Sequence, residues 1–125
     1  MVKSTGIIIQ ARTGSTRFPN KVINKIDNIT LIEILINRLK LLGSKVKIII
    51  ATTKLKEDDV LVDIAKENNV LYYRGSTNNV LSRYYNAAKL YNLETIVRIT
   101  SDCPLIDIDI LKIMLVEFNI SNNTY

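Results

Sequence analysis

Four short runs of β-branched residues, each followed by apolar residues at helical spacing, restrict this chain to a single fold class. The runs are Gly6 to Gln10 (GIIIQ), Val46 to Ala51 (VKIIIA), Val70 to Tyr73 (VLYY) and Thr95 to Thr100 (TIVRIT). They are mostly apolar without clean alternation. That pattern belongs to strands covered on both faces, as in a parallel sheet, because a sheet with one wet face alternates apolar and polar residues. Helical spacing follows in Ile32, Leu35, Ile36 and Leu39, in Val60, Leu61, Ile64 and Ala65, and in Val80, Leu81, Tyr84, Ala87, Ala88 and Tyr91. A fourth set runs through Ile110, Ile113, Met114 and Phe118. The order β-α-β-α-β-α-β-α calls for right-handed crossovers and so for a three-layer α/β fold, an open, mostly parallel sheet with helices on both faces.

The first helix has the clearest ends. Thr30 with Glu33 three residues later makes a capping box, and Gly43 offers a stop. With 125 residues and no repeat, low-complexity tract or linker, one domain over residues 1–120 is expected, followed by a polar, frayed tail, Ser121 to Tyr125.

Several functional classes are excluded. The apolar runs fall far short of the roughly 20 residues that a spanning helix needs, and the start lacks a signal-peptide pattern, so a cytoplasmic protein with no membrane partner is expected. One cysteine, Cys103, and no histidine exclude an intrachain disulfide, a histidine triad and the usual zinc sites. The net charge of +5 suits an anionic partner but defines no site, since exposed charges are screened over about 8 Å at physiological salt. Lys40, Lys45, Lys66 and Lys112 read as solvated lysines on helix faces.

In open parallel sheets, ligands bind beyond the carboxyl ends of the strands where the chain order reverses. The segments leaving the four strands are ARTGSTRFPNK, TTK, RGSTNN and SDCP, which places the polar chemistry on one rim. In the first, Gly14 permits a tight turn, Ser15 and Thr16 add hydroxyl donors, and Arg12, Arg17 and Lys21 add charge. A charge-assisted hydrogen bond is worth roughly 1.5–3 kcal/mol, so three converging on one polyphosphate can reach micromolar affinity. The loop is neither a Walker A loop nor a dinucleotide fingerprint, because it has a single glycine. In the last segment, Asp102 is a hard carboxylate suited to Mg²⁺ bridged to phosphates. Its other reading is a cap on the following helix, a role for which Asp107 is better placed.

The stretches IIIQARTGSTRFPNK, EDDVLVDIAKENNV, YRGSTNNVLSRYYNAAK and VRITSDCPLID together resemble the cytidylyltransferases that make CMP-activated sugars. The details are most similar to the spore coat polysaccharide biosynthesis protein F branch of the acylneuraminate cytidylyltransferase family. The resemblance runs from the first strand to the fourth helix. It implies a Rossmann-like nucleotide-diphospho-sugar transferase fold, CTP and Mg²⁺ as ligands, and transfer of CMP to an acidic sugar with release of pyrophosphate in cell-surface polysaccharide biosynthesis. The partner is thus a small nucleotide and not a nucleic acid.

Carried across by the resemblance, Arg12, Ser15, Arg17 and Lys21 contact the triphosphate, beside Gly14, while the backbone of Gln10 and Ala11 reads cytosine. Arg74 and Thr100 complete the nucleotide site, Asp102 is the metal residue, and Arg83 organises the rim. Arg12, Lys21 and Asp102 carry the chemistry. Three positions depart from the family pattern: Asn20 for the glycine of P-G-K, Ser101 for the glycine of G-D-x-P, and Asn79 for an acid. Full members also continue into a segment that completes the sugar pocket, adds a metal ligand and makes the contact of a homodimer. Two other readings stand beside this one: a sugar-1-phosphate nucleotidylyltransferase, and a non-catalytic nucleotide-binding fragment or regulatory module.

Overall fold

A computed structural model describes residues 5–14, 23–100 and 107–121. The chain runs through β1 (Thr5–Gln10), a hairpin of β2 (Lys25–Ile26) and β3 (Ile29–Thr30), α1 (Leu31–Leu39), β4 (Val46–Thr53) and α2 (Asp59–Glu67). It continues through β5 (Leu71–Gly75), α3 (Val80–Leu90), β6 (Thr95–Thr100) and α4 (Ile108–Ser121). All four strands expected from the β-branched runs are present in one parallel sheet, in the order β5-β4-β1-β6. Two run past the expected limits. β4 continues to Thr53 and β5 to Gly75, so Thr52, Thr53 and Arg74 belong to strand ends and not to loops.

Alternation within the strands sorts side chains between two cores. Ile7, Ile9, Ile48, Ile50 and Ile99 pack with Ile32, Leu35, Ile36 and Leu39 of α1, Leu61, Ile64 and Ala65 of α2, and Ile108 and Leu111 of α4. On the opposite face Ile8, Ile49 and Ala51 meet Tyr84, Ala87 and Ala88 of α3. Ile7, Ile8 and Ile9 are all fully buried, which is why this run shows no polar alternation. Each such side chain contributes about 1.5–3 kcal/mol relative to exposure. The second face is thinly covered: Ile96 and Arg98 of β6 are exposed on the edge strand. α4 is apolar nearly all round, and Ile110, Ile113 and Met114, read from sequence as its packing stripe, are exposed, while Ile108 and Leu111 face the core.

Helix ends obey local rules. Thr30 Oγ1 accepts from the Glu33 amide, and Glu33 Oε1 accepts from the Thr30 amide, completing the expected capping box. After α1 a 3-10 turn, Lys40–Leu42, ends at Gly43 with φ of 99°. α2 and α3 close on asparagines instead. Asn69 (φ 57°) donates to the Lys66 carbonyl while Val70 donates to Ala65, and Asn92 (φ 55°) donates to Lys89 while Leu93 donates to Ala88. These are two copies of the same left-handed cap, with an apolar residue following each. The β2–β3 hairpin was not expected from sequence. Its turn residues, Asp27 and Asn28, both have positive φ, the type I′ geometry that matches strand twist.

Candidate functional site

The chain order reverses at β1, since β4 and β5 lie on one side of it and β6 on the other. Register brings Gln10, Ala51 and Thr100 into one row at the carboxyl ends. The first polar loop therefore leaves the sheet at its switch point, where such folds hold ligands. The Ala11 amide donates to the Ala51 carbonyl at 3.1 Å, so that N–H is spent inside the fold. Gln10 Oε1 accepts from the Tyr84 hydroxyl at 3.3 Å, and the Arg98 guanidinium stacks 4.7 Å above the Tyr84 ring. Burial raises the Tyr84 phenol above its ordinary value, with Arg98 acting in the opposite sense.

The start of the loop is held by a residue that sequence reasoning did not single out. Asp58 ends a 3-10 turn, Lys56–Asp58, ahead of α2 and is fully buried. Its Oδ1 accepts from the Thr13 amide at 2.7 Å and lies 2.9 Å from the Thr13 hydroxyl, and its Oδ2 accepts from Thr53 Oγ1. Thr13 Oγ1 also reaches the Glu57 carbonyl at 3.2 Å. One carboxylate thus ties the loop to the end of β4 and the start of α2. In sequence Asp58 reads as part of an acidic helix start, and its partner lies 45 residues away.

Gly14 follows this anchor. Its backbone is not in the left-handed region, contrary to the turn freedom expected of it. A Cβ there would sit 2.8 Å from Glu57 Oε1 and 3.3 Å from Arg12 Nη2, the far ends of two flexible side chains that can turn aside. Arg12 is half-buried, donates from Nη2 to the Gly14 carbonyl at 3.2 Å, and leaves its buried Nε without a partner.

Arg83 of α3 is the largest fully buried side chain among the described residues, and none of its three guanidinium nitrogens makes a hydrogen bond. Burial, then the charge of Arg12, push this guanidinium below its ordinary value, while Tyr84 and Asp58 act the other way. Its stem passes Gly75 closely enough that a Cβ there would lie 3.1 Å from Arg83 Cγ.

Arg74, expected in the nucleotide site, is held by three protein partners. Nε donates to the Thr53 carbonyl at 2.8 Å, Nη2 to the Leu55 carbonyl at 2.7 Å, and Nη1 pairs with Asp59 at 2.7 Å. The guanidinium braces β5 against the same connection that Asp58 ends. Thr100 is exposed at the end of β6. Asn79 caps α3 by accepting from the Ser82 amide at 2.9 Å. Asp107 caps α4, as expected, accepting from the Ile110 amide at 3.1 Å. Of the neighbouring tyrosines on α3, Tyr84 is buried and Tyr85 is exposed.

Ser15, Arg17, Lys21 and Asp102 lie outside the described residues, with Thr16, Pro19, Asn20, Ser101 and Cys103. Among the described residues no three acidic, cysteine or histidine side chains converge as metal donors. Asp58 is not such a donor, its oxygens being committed to Thr13 and Thr53.

Residues 6–125 match the family model described as cytidylyltransferase. An uncharacterised protein of Methanocaldococcus jannaschii is 46% identical over 116 residues, 93% of this chain and 47% of its own length. The spore coat polysaccharide biosynthesis protein SpsF of Bacillus subtilis is 33% identical over 112 residues, 86% of this chain and 47% of its own. The chain spans about half the length of these relatives. A cytidylyltransferase structure from Leptospira borgpetersenii superposes with a TM-score of 0.87 at 41% identity, covering 95% of this chain and 50% of that one. The structure of CMP:2-keto-3-deoxy-manno-octonic acid synthetase complexed with CTP does so at 0.69, over 93% of this chain and 48% of its own. At 20% identity the latter likeness is one of fold.

Proposed function

The chain belongs to the cytidylyltransferase family, and on that premise we propose that it binds CTP at the carboxyl rim of its sheet and forms the nucleotide half of a CMP transferase. The acceptor is an acidic sugar or related acid, pyrophosphate is released, and the product feeds polysaccharide synthesis in the cytoplasm. In this reading residues 1–120 are the CTP-binding domain. The carrying observation is Arg12: it leaves β1 at the switch point, half-buried, with an unpartnered Nε, on a loop that Asp58 holds in place.

The chemistry is in-line attack by an acceptor oxygen on the α-phosphorus, in which the protein positions and stabilises charge. Arg12, Ser15, Arg17 and Lys21 bind the triphosphate oxygens and stabilise the charge that develops on pyrophosphate. Gln10, Ala11, Arg74 and Thr100 border the nucleoside, with Arg74 acting through the brace described above. Mg²⁺, when bound, supplies charge neutralisation at the phosphates, and Asp102 is its assigned ligand.

The test is CTP binding by calorimetry beside a pyrophosphate-release assay with a panel of acidic acceptors, run on this chain and on one extended to the length of its relatives. CTP binding by both, with turnover in at least the longer chain, is expected. A preference for UTP, GTP or dTTP over CTP would overturn the assignment. Binding of CTP without pyrophosphate release in either chain would instead make the domain a nucleotide-binding module.

A further inference from the structure

A buried guanidinium without a hydrogen bond is among the costliest arrangements a core can hold, and Arg83 places all three of its nitrogens in that state. It cannot escape by losing its proton, because arginine stays charged in proteins. Its surroundings deepen the problem. Arg12 is close enough to act on it as a like charge, and Arg12 has an unpartnered buried Nε of its own. Among the described residues the acid that couples to Arg83 is Asp58, which makes no hydrogen bond to it and instead accepts from Thr13 and Thr53. Gly75 keeps clear the space through which the Arg83 stem passes.

We infer that Arg83 is an anion-binding residue, and that Arg12 and Arg83 together form a dicationic pocket beneath the first loop that takes a phosphoryl group. A phosphoryl group suits it better than a carboxylate. Arg83 leaves three guanidinium nitrogens and Arg12 one without a partner, donors that a tetrahedral dianion can satisfy and a planar monoanion leaves partly unmet. Arg83 comes from α3 and Arg12 from the β1 loop, so the anion would join the two faces of the sheet rim. The assignment rests on the CTP reading above for the nature of the phosphate, though not for the existence of an anion site.

The experiment uses the chain itself with inorganic pyrophosphate, CTP and a sialic acid as separate probes. It follows the Arg83 side-chain Nε–H by NMR and the dissociation constants by calorimetry. Pyrophosphate and CTP should each shift the Arg83 resonance, and Arg83→Met should weaken both by about 10–150-fold while leaving the anion-free Tm equal or higher. If Arg83→Met does not fold, the wild-type resonance still decides. Pyrophosphate or CTP binding that leaves the resonance unmoved overturns the inference and leaves the CTP reading intact. A response to the sialic acid alone overturns it too. Pyrophosphate binding at Arg83 without CTP binding supports the pocket and removes the CTP reading, and silence towards all three probes removes both.

Discussion

Asp58 holds Thr13 by its amide at 2.7 Å and by its hydroxyl at 2.9 Å, across 45 residues of sequence and from inside the protein. The loop between β1 and the hairpin is therefore anchored at its first turn, and its cationic residues start from a fixed point. Preorganisation of this kind lowers the ordering cost of binding. Asp58→Asn removes the charge that strengthens these bonds and sets a donor NH2 against either the Thr53 hydroxyl or the Thr13 amide and hydroxyl. It is expected to destabilise the chain by about 1.5–3 kcal/mol and to weaken CTP binding as well. Urea unfolding checks the first, calorimetry the second, and an unchanged midpoint would show the anchor to be incidental.

Glu33 gives a pH signature. Burial by itself raises its carboxyl, but hydrogen bonds from Thr30 and Asn68, with a contribution from Lys25, hold it below the ordinary value. A group depressed in the folded state contributes stability above its unfolded pKa, which is lost as pH falls through the folded one. Glu33→Gln keeps the capping box, since glutamine can also reach the Thr30 amide, and removes the titration. The gap in Tm between the wild type and this variant should be present at pH 7 and shrink as pH falls below about 4.3. A gap constant down to pH 2.5 would place the acid sensitivity elsewhere.

Sequence carried the sheet because its strands are buried on both faces, so Ile7 to Ile9 and Ile48 to Ile50 had no polar partner to blur them. The first helix was readable from Thr30 and Glu33 for the same kind of local reason. The β2–β3 hairpin was missed although Asp27-Asn28 is a turn pair suited to positive φ, because strands of two residues show no periodicity. The roles of Asp58 and Arg74 were not readable at all. Each depends on what tertiary folding brings near it: Thr13 and Thr53 to Asp58, and Asp59 and two carbonyls to Arg74.

The paired asparagine caps predict a graded response. Asn69 and Asn92 both sit at positive φ one position past the C-caps of their helices, where asparagine is tolerated and glycine is free of strain. Asn92→Ala should cost about 1 kcal/mol, whereas Asn92→Gly should be neutral or mildly stabilising. Equal stabilities for the two variants in thermal unfolding would show that this backbone relaxes out of the left-handed region.

Arg74 separates a brace from a ligand. Its guanidinium spends Nε, Nη1 and Nη2 on Thr53, Asp59 and Leu55, which only a planar fork can do at once. Arg74→Lys retains the charge but loses the fork, so at least two of these contacts go. The expected cost is about 1–3 kcal/mol of stability, drawn mainly from the two backbone carbonyls, because the Asp59 end is largely exposed and its ion pair is worth little. If Arg74 acts on the nucleotide through the brace, Asp59→Asn should change CTP affinity by less than about threefold. Arg74→Lys should weaken it in step with the lost stability. A lysine variant with wild-type stability and a CTP affinity lowered more than tenfold would instead make Arg74 a direct ligand.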